Sequence, residues 1–407
     1  MKVKRTEQIW LKPNKEISRL CHLSKNVYNE ANYIIRQEFI NSGVFIGYNK
    51  LDVLLRDSEN AKQLPSQVRQ QILRLLEKDW ISFFRLIKTQ KKDKSKSLGR
   101  SKFPKYKKKD GEHLLIFTNQ NRRIRDGWVT FPKKCNFGLE IKTRIKNEDL
   151  QQIKIIPKGY GYILEIVYNK EINPKELDKE RVVGIDLGLR NVITMANNIG
   201  KKPIVVKGGV VKSINQYFNK KYAEIMHQLD TYEQKESRRL YKLINKRNRK
   251  IHDFFHKTSR FIINWCQKNN IGIIMIGHNK EFKQNINLGK RTNQNFVDIP
   301  FGKLIQQLQY KAEENGIAVI LQDESHTSKC SFLDNESIKH HETYVGKRKS
   351  RGLFKSAKNI IINADVNGAY NIIKKAIPNA FARVEADGME GVALHPVKYV
   401  NLTNEVM

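Results

Sequence analysis

Residues 271–277, IGIIMIG, are apolar throughout and end at Gly277-His278-Asn279, with the first acid beyond them at Glu281. Such a run, bounded by polar residues, reads as a buried strand running out into a loop. Before it, "RVVGIDLGLRNVITMANN" (181–198) and "KPIVVKGG" (202–209) read as a β-meander, followed by one long charged helical region from Ile214 to about Gln267. After it come a helix near Gly302–Asn315, the strand "IAVILQDE" (317–324), an irregular basic stretch 325–362 and a last helix, "NADVNGAYNIIKKA" (363–376). Strands grouped first and then alternating with helices predict a mixed α/β sheet.

The N-terminal half has a different pattern. "KVKRTEQIWL" (2–11) reads as a strand, and from Lys15 to about Lys91 apolar residues recur at helical spacing, among them Ile17, Leu20, Ile72, Leu76, Trp80 and Phe83. A basic stretch, 88–111, follows. From about Leu114 to Tyr168 the period shortens to strands, two of them joined by the turn Arg125-Asp126-Gly127-Trp128. The expectation is a small β-barrel or sheet, interrupted after its first strand by a helical insertion.

Charge narrows the function. Lys and Arg number 76 against 41 Asp and Glu, a formal +35 spread over 407 residues. A chain so charged repels itself unless a polyanion binds it, and nucleic acid fits because each neutralised phosphate releases counterions. Cys21, Cys135, Cys266 and Cys330 lack the paired spacing of a disulfide framework or a zinc ribbon. The first residues lack a signal-peptide core and no run of apolar residues would span a bilayer, so a soluble, intracellular protein is expected.

Two aspartates stand in apolar settings. Asp186 interrupts "VVGIDLGL", where a buried carboxylate needs a cation or donors; the competing reading is a turn-former beside Gly188. Asp365 opens the last helix, where an acid also complements the helix dipole. Together, a first-strand and a last-helix aspartate are the layout of a ribonuclease-H-like sheet, whose acids hold two Mg²⁺ for phosphodiester cleavage.

The chain resembles the TnpB family, RNA-guided RuvC-like nucleases of insertion sequences related to the smallest type V CRISPR effectors. "GRSKFPKYKKKDG" (99–111) resembles the family's basic linker, "VGIDLGLRNVITMAN" (183–197) its first nuclease motif, 293–334 the run into its DNA-engaging insert, and "NADVNGAYNIIKKA" its third motif. The resemblance implies a wedge-type barrel (1–13 and 96–175), a helical recognition insertion (14–95), a RuvC-like domain (176–324 and 363–378), a DNA-engaging insert (325–362) and a tail (379–407). It implies Mg²⁺, or Mn²⁺ in its place, and the partners guide RNA and double-stranded DNA. It also implies one or two chains per RNA, no membrane, and a place in the prokaryotic cytoplasm with the nucleoid. Two rival readings are a cleavage-deficient RNA-guided repressor and a strand-transfer transposase.

Two departures from the family matter. Many members carry two Cys-x-x-Cys pairs in the insert, where this chain offers Cys330, His340 and His341; zinc is not expected. The family's second-motif glutamate would stand at Gly277. Glu324, at the end of a neighbouring strand about 4.8 Å away, is the candidate replacement, giving Asp186, Glu324 and Asp365 as catalytic metal ligands. Asp323 should face away by strand alternation, and Glu281 is a weaker, loop-borne option. Lys102, Lys105 and Lys107 are candidate phosphate ligands, with Phe103 and Tyr106 either stacking on bases or packing in the core. The helix carrying Arg238, Arg239, Lys246, Arg247, Arg249 and Lys250 either tracks the guide–target duplex or presents a solvated basic face.

Overall fold

Asn14 starts the first long helix: its side chain accepts from the Ile17 N–H, and Gly43, at φ 70°, ends it. The computed structural model describes residues 1–93, 99, 101–120, 123–278, 299–350, 352–382 and 398–400. They form two units, Met1–Ile172 and Asn173–Met407.

In the first unit, strand β1 (Lys2–Leu11) leads into α1 (Lys15–Ser42), α2 (Tyr48–Leu55), α3 (Glu59–Gln63) and α4 (Ser66–Lys92), before β2 (Leu115–Thr118), β3 (Ile124–Arg125), β4 (Trp128–Val129), β5 (Leu150–Pro157) and β6 (Tyr162–Glu171). Ile17, Leu20, Ile72, Leu76 and Trp80 are buried as their spacing requires, in one core with Leu115, Ile153 and Leu164 of the sheet. Trp80 donates its indole N–H to Asn32 at 3.0 Å. The sheet runs β1-β6-β5-β2, antiparallel throughout. Among the described residues β1 and β2 are its edges, so of the two expected forms, a small barrel or a sheet, they show a sheet. The β3–β4 hairpin turns on Asp126 and Gly127, both at positive φ, as a two-residue hairpin turn demands.

The second unit is built on a sheet of β7 (Asp178–Asp186), β8 (Asn191–Asn197), β9 (Ile204–Lys207), β10 (Ile271–Gly277) and β11 (Ala318–Gln322), in the order β11-β10-β7-β8-β9, with a further strand, Lys398–Val400, beside β9. β7, β8 and β9 form the antiparallel meander, while β10 and β11 run parallel to β7. The single helical region expected before β10 is two helices, α5 (Gly209–Thr231) and α6 (Arg238–Lys268); Glu233 at φ 53° and the Ser237 cap break it.

Helices cover both faces of the sheet. α6 and α7 (Phe301–Glu314) pack Ile262, Ile263, Leu304 and Leu308 against Val183, Ile185, Ile274 and Ile276. On the other face lies α8 (Ala364–Ala376), whose Ala369, Tyr370, Ile372 and Ile373 meet Val182 and Met275. The insert 325–362 is not irregular throughout, because 347–350, 353–355 and 361–363 form a small antiparallel sheet. α8 grips that insert. Asn367 and Asn371 donate to the Cys330 carbonyl at 2.9 and 2.8 Å, and Phe332 stacks on Tyr370 with centroids 4.5 Å apart.

Candidate active site

A Cβ at Gly184 would lie 2.3 Å from the Ala369 carbonyl oxygen, so only glycine lets α8 come this close to β7. Strand alternation puts Asp186, two residues on, on the same face. A Cβ at Gly368 of α8 would stand 3.1 Å from Asp186 Oδ2. The first strand and last helix are therefore joined by two glycines, with Asp186 between them at the strand's end.

Asp365 lies in the first turn of α8, whose cap is Asn363, accepting from the Asp365 and Val366 N–H groups at 3.0 and 3.2 Å. Its Oδ2 accepts from the side-chain amide of Asn191, at the start of β8, at 2.7 Å. Sequence reasoning missed Asn191; a polar residue at a strand start is too ordinary to signal a role.

The third acid arrives as β10 and β11 end. Gly277 pairs with Gln322, and the His278 N–H still donates to the Gln322 carbonyl at 2.8 Å. Glu324 follows two residues later, and its Oε2 lies 2.9 Å from where a Cβ on Gly277 would be. Its carboxylate fills the space a side chain at 277 would enter. Asp323 turns away to Lys375 at 2.7 Å and to Ser325. Glu281 lies outside the described residues.

Asp186, Glu324 and Asp365 are all half-buried. Burial, then the charges of Asp365 and Glu324, push the Asp186 carboxyl up to about 8, against the opposing pull of Arg348 and the Leu187 N–H. Burial and then Asp323 raise Glu324 to about 6. Asp186 keeps its proton to the higher pH, so Glu324 ionises beside a neutral neighbour while Asp186 must ionise beside charged ones. Arg348, on the first strand of the insert's sheet, is the second residue missed: it sat unmarked in the basic run Lys347-Arg348-Lys349.

Crowded hard-oxygen donors, with Asp186 held protonated by burial and by the charges of the other two, are a set a divalent cation suits. Cys330, Glu336 and His341 also bring three donor atoms within 4.8 Å of one another. These donors are engaged otherwise. Glu336 accepts from the Ser331 and Val345 N–H groups, Cys330 Sγ donates to the Ser337 carbonyl, and His341 Nε2 lies 2.8 Å from that carbonyl. With Nε2 donating to that carbonyl, His341 keeps its lone pair on Nδ1 alone, and three donors are one short of a closed tetrahedral zinc site.

The comparisons follow this architecture. Residues 165–283 match the OrfB_IS605 family model, a probable transposase, and residues 301–372 match the TNB domain of Cas12f1-like proteins. The TnpB-like protein ORF457 of Acidianus two-tailed virus is 26% identical over 92% of this chain and 87% of its own length. Over most of its length the chain is thus similar to TnpB-like proteins. Another relative, the putative RNA-guided DNA endonuclease InsQ of Escherichia coli K12, is 23% identical over 88% of each chain. Of the solved structures, a Cas12f1–sgRNA–target DNA complex aligns over 87% of this chain and 81% of its own, at 15% identity and a TM-score of 0.53, a likeness of fold.

The candidate nucleic-acid ligands divide. Phe103 is half-buried, and its ring packs against Phe83, Trp80 and Phe39 with centroids at 5.1, 5.4 and 6.0 Å. Of the two readings for this aromatic between lysines, base stacking and core packing, these contacts with α1 and α4 favour core packing. Tyr106 is exposed, under the Arg36 guanidinium at 4.4 Å. Lys102 and Lys105 are exposed; Lys107 is half-buried over the Tyr28 ring. On α6, Arg238 and Arg249 are exposed, Arg239 donates to Gln228, and half-buried Arg247 donates to Asn215 at 2.9 Å. Arg247 thus ties α6 to α5. Among the described residues no helix is long and apolar enough to cross a membrane.

Proposed function

We propose that this protein is an RNA-guided DNA endonuclease that hydrolyses phosphodiesters at Asp186, Glu324 and Asp365. The reading rests on one observation above all: the Glu324 carboxylate stands where a Gly277 side chain would begin, on the face that carries Asp186. Relatives named as RNA-guided endonucleases and the +35 charge support the nucleic-acid partners. Base pairing with a guide RNA would select the target, with the protein reading a short flanking motif and backbone shape.

The three carboxylates would hold two Mg²⁺, or Mn²⁺. When bound, such ions supply Lewis-acid polarisation of a phosphoryl oxygen and stabilise both sides of an in-line displacement. Asn191 fixes one oxygen of Asp365 and so its orientation. Arg348 brings a positive charge to the acids and is suited to fork onto a phosphate's non-bridging oxygens. α8 couples the site to the insert, since one helix carries Asp365 and holds Cys330 and Phe332. The zinc-free reading of the insert rests on its engaged donors, and a repressor without chemistry has no observation in its favour.

Purified protein with the RNA transcribed beside its gene and Mg²⁺ should cut DNA matched to that RNA. Asp186→Ala and Asp365→Ala should abolish cutting and leave binding. Binding without cutting by the wild type would overturn the nuclease reading.

A further inference from the structure

A groove of about 700 Å³ lies in the first unit, between the start of α4 and the segment around β3 and β4. Arg56, Lys62, Arg125, Lys133 and Lys134 line it, and among the described lining residues no carboxylate stands. Two features of its wall lack a counterpart. The first is the N-terminus of α4, a 27-residue helix whose cap, Pro65, offers no side-chain hydrogen bond. The first intrahelical bond is from the Arg69 N–H to the Pro65 carbonyl, so the N–H groups of Ser66, Gln67 and Val68 are orphans of the first turn.

The second is Arg123, 5% exposed, which also lines the groove. Its Nη2 donates to the neutral Gln67 Oε1 at 2.9 Å, and Gln67 in turn donates to Gln120. Its Nε is buried without a hydrogen-bond partner. A buried guanidinium whose partner is neutral and whose Nε is unmet is costly unless an anion completes it. Neighbouring charges are spoken for: Arg69 pairs with Asp52 at 3.0 Å and Lys62 with Asp57 at 3.6 Å. Both features converge through Gln67, the second residue of α4 and the acceptor of Arg123.

We propose that this groove is a phosphate seat, in which the α4 N-terminus and Arg123 receive one phosphodiester of a bound nucleic-acid backbone. A helix N-terminus favours an anion through its N–H groups and dipole, and a guanidinium adds a charge-assisted pair of donors. The surrounding cations then follow the strand on either side. The seat rests on the nucleic-acid-binding part of the function above and not on its chemistry.

The test uses the full chain without divalent metal, so loss of the nuclease reading leaves it readable. Binding of an oligouridylate and of a random-sequence DNA duplex is measured by fluorescence anisotropy across a KCl series, for wild type, Arg123→Gln and Ser66→Glu. Ser66 is exposed, and a glutamate there suits the helix dipole, so this variant melts no lower than wild type while its charge occupies the seat. The expected result is binding weaker by roughly tenfold and a log–log salt slope shallower by about one, in both variants. An effect on the RNA alone assigns the phosphate to RNA, and an effect on the duplex alone assigns it to DNA. Unchanged affinity and slope in both arms for folded Ser66→Glu would overturn the proposal, whatever the stability of Arg123→Gln.

Discussion

Glu324 and Gly277 share one space: the Oε2 of the first lies 2.9 Å from the position the second would give a Cβ, with Ile372 Cδ1 only 2.6 Å from it. Gly277→Ala must therefore displace the ends of two flexible side chains. Overpacking of this kind costs about 1–3 kcal/mol, so the protein should fold, with melting lowered and cleavage reduced by on the order of tenfold or more. Transplanting the acid is the sharper test. Gly277→Glu combined with Glu324→Ala should cleave measurably better than Glu324→Ala alone, since a glutamate at 277 starts from the same point.

Stability should fall with rising pH in metal-free protein. Asp186 is raised to about 8 and Glu324 to about 6, whereas in the unfolded chain both titrate near roughly 4. The folded state thus binds more protons between about pH 4 and 8. The unfavourable contribution is absent below pH 4 and grows as pH passes through that window, by on the order of a few kcal/mol. In EDTA at pH 8, Asp186→Asn should melt above wild type, and the difference should vanish near pH 4. Mg²⁺ should raise the wild-type melting temperature more at pH 8 than at pH 5; a pH-independent effect would contradict the shared site.

Arg348 should matter for chemistry and not for assembly. Arg348→Ala is expected to slow cleavage by roughly 100-fold, the scale of one preorganised charge at a reacting centre, with DNA affinity little changed. Removing the positive charge also moves the Asp186 carboxyl further up. Single-turnover cleavage beside a binding titration separates the two effects.

Phe103 should behave as a core residue. Its contacts with Trp80, Phe83 and Phe39 make Phe103→Ala cost about 3 kcal/mol, read in a urea titration. The salt slope of RNA binding should be that of wild type. A weaker affinity with unchanged stability would restore the stacking role.

What could be read from the sequence follows from what each residue breaks. Asp186 announces itself because a charge interrupts an apolar strand, whereas Glu324 was reached only through the family resemblance, which implies a glutamate where Gly277 stands. Asp365 is weaker alone, since any first-turn acid suits a helix dipole. Arg348 was hidden among like charges, and only the fold of the insert brings it to Asp186. The break between α5 and α6 escaped notice because a single positive-φ glutamate does not disturb the periodicity on either side. Whether the strands of the first unit make a barrel or a sheet stayed open in the sequence, because closure depends on which distant strands pair, and alternation along one strand carries no such information.

The claim on which the cutting mechanism depends is that Glu324 is the third acid. Its direct measurement is cleavage of matched DNA by the Glu324→Gln protein–RNA complex, alongside binding of the same DNA. The expected result is target binding equal to wild type with cleavage lost by on the order of a thousandfold, the scale on which an electrostatic catalytic group acts. Wild-type cleavage by Glu324→Gln would contradict it.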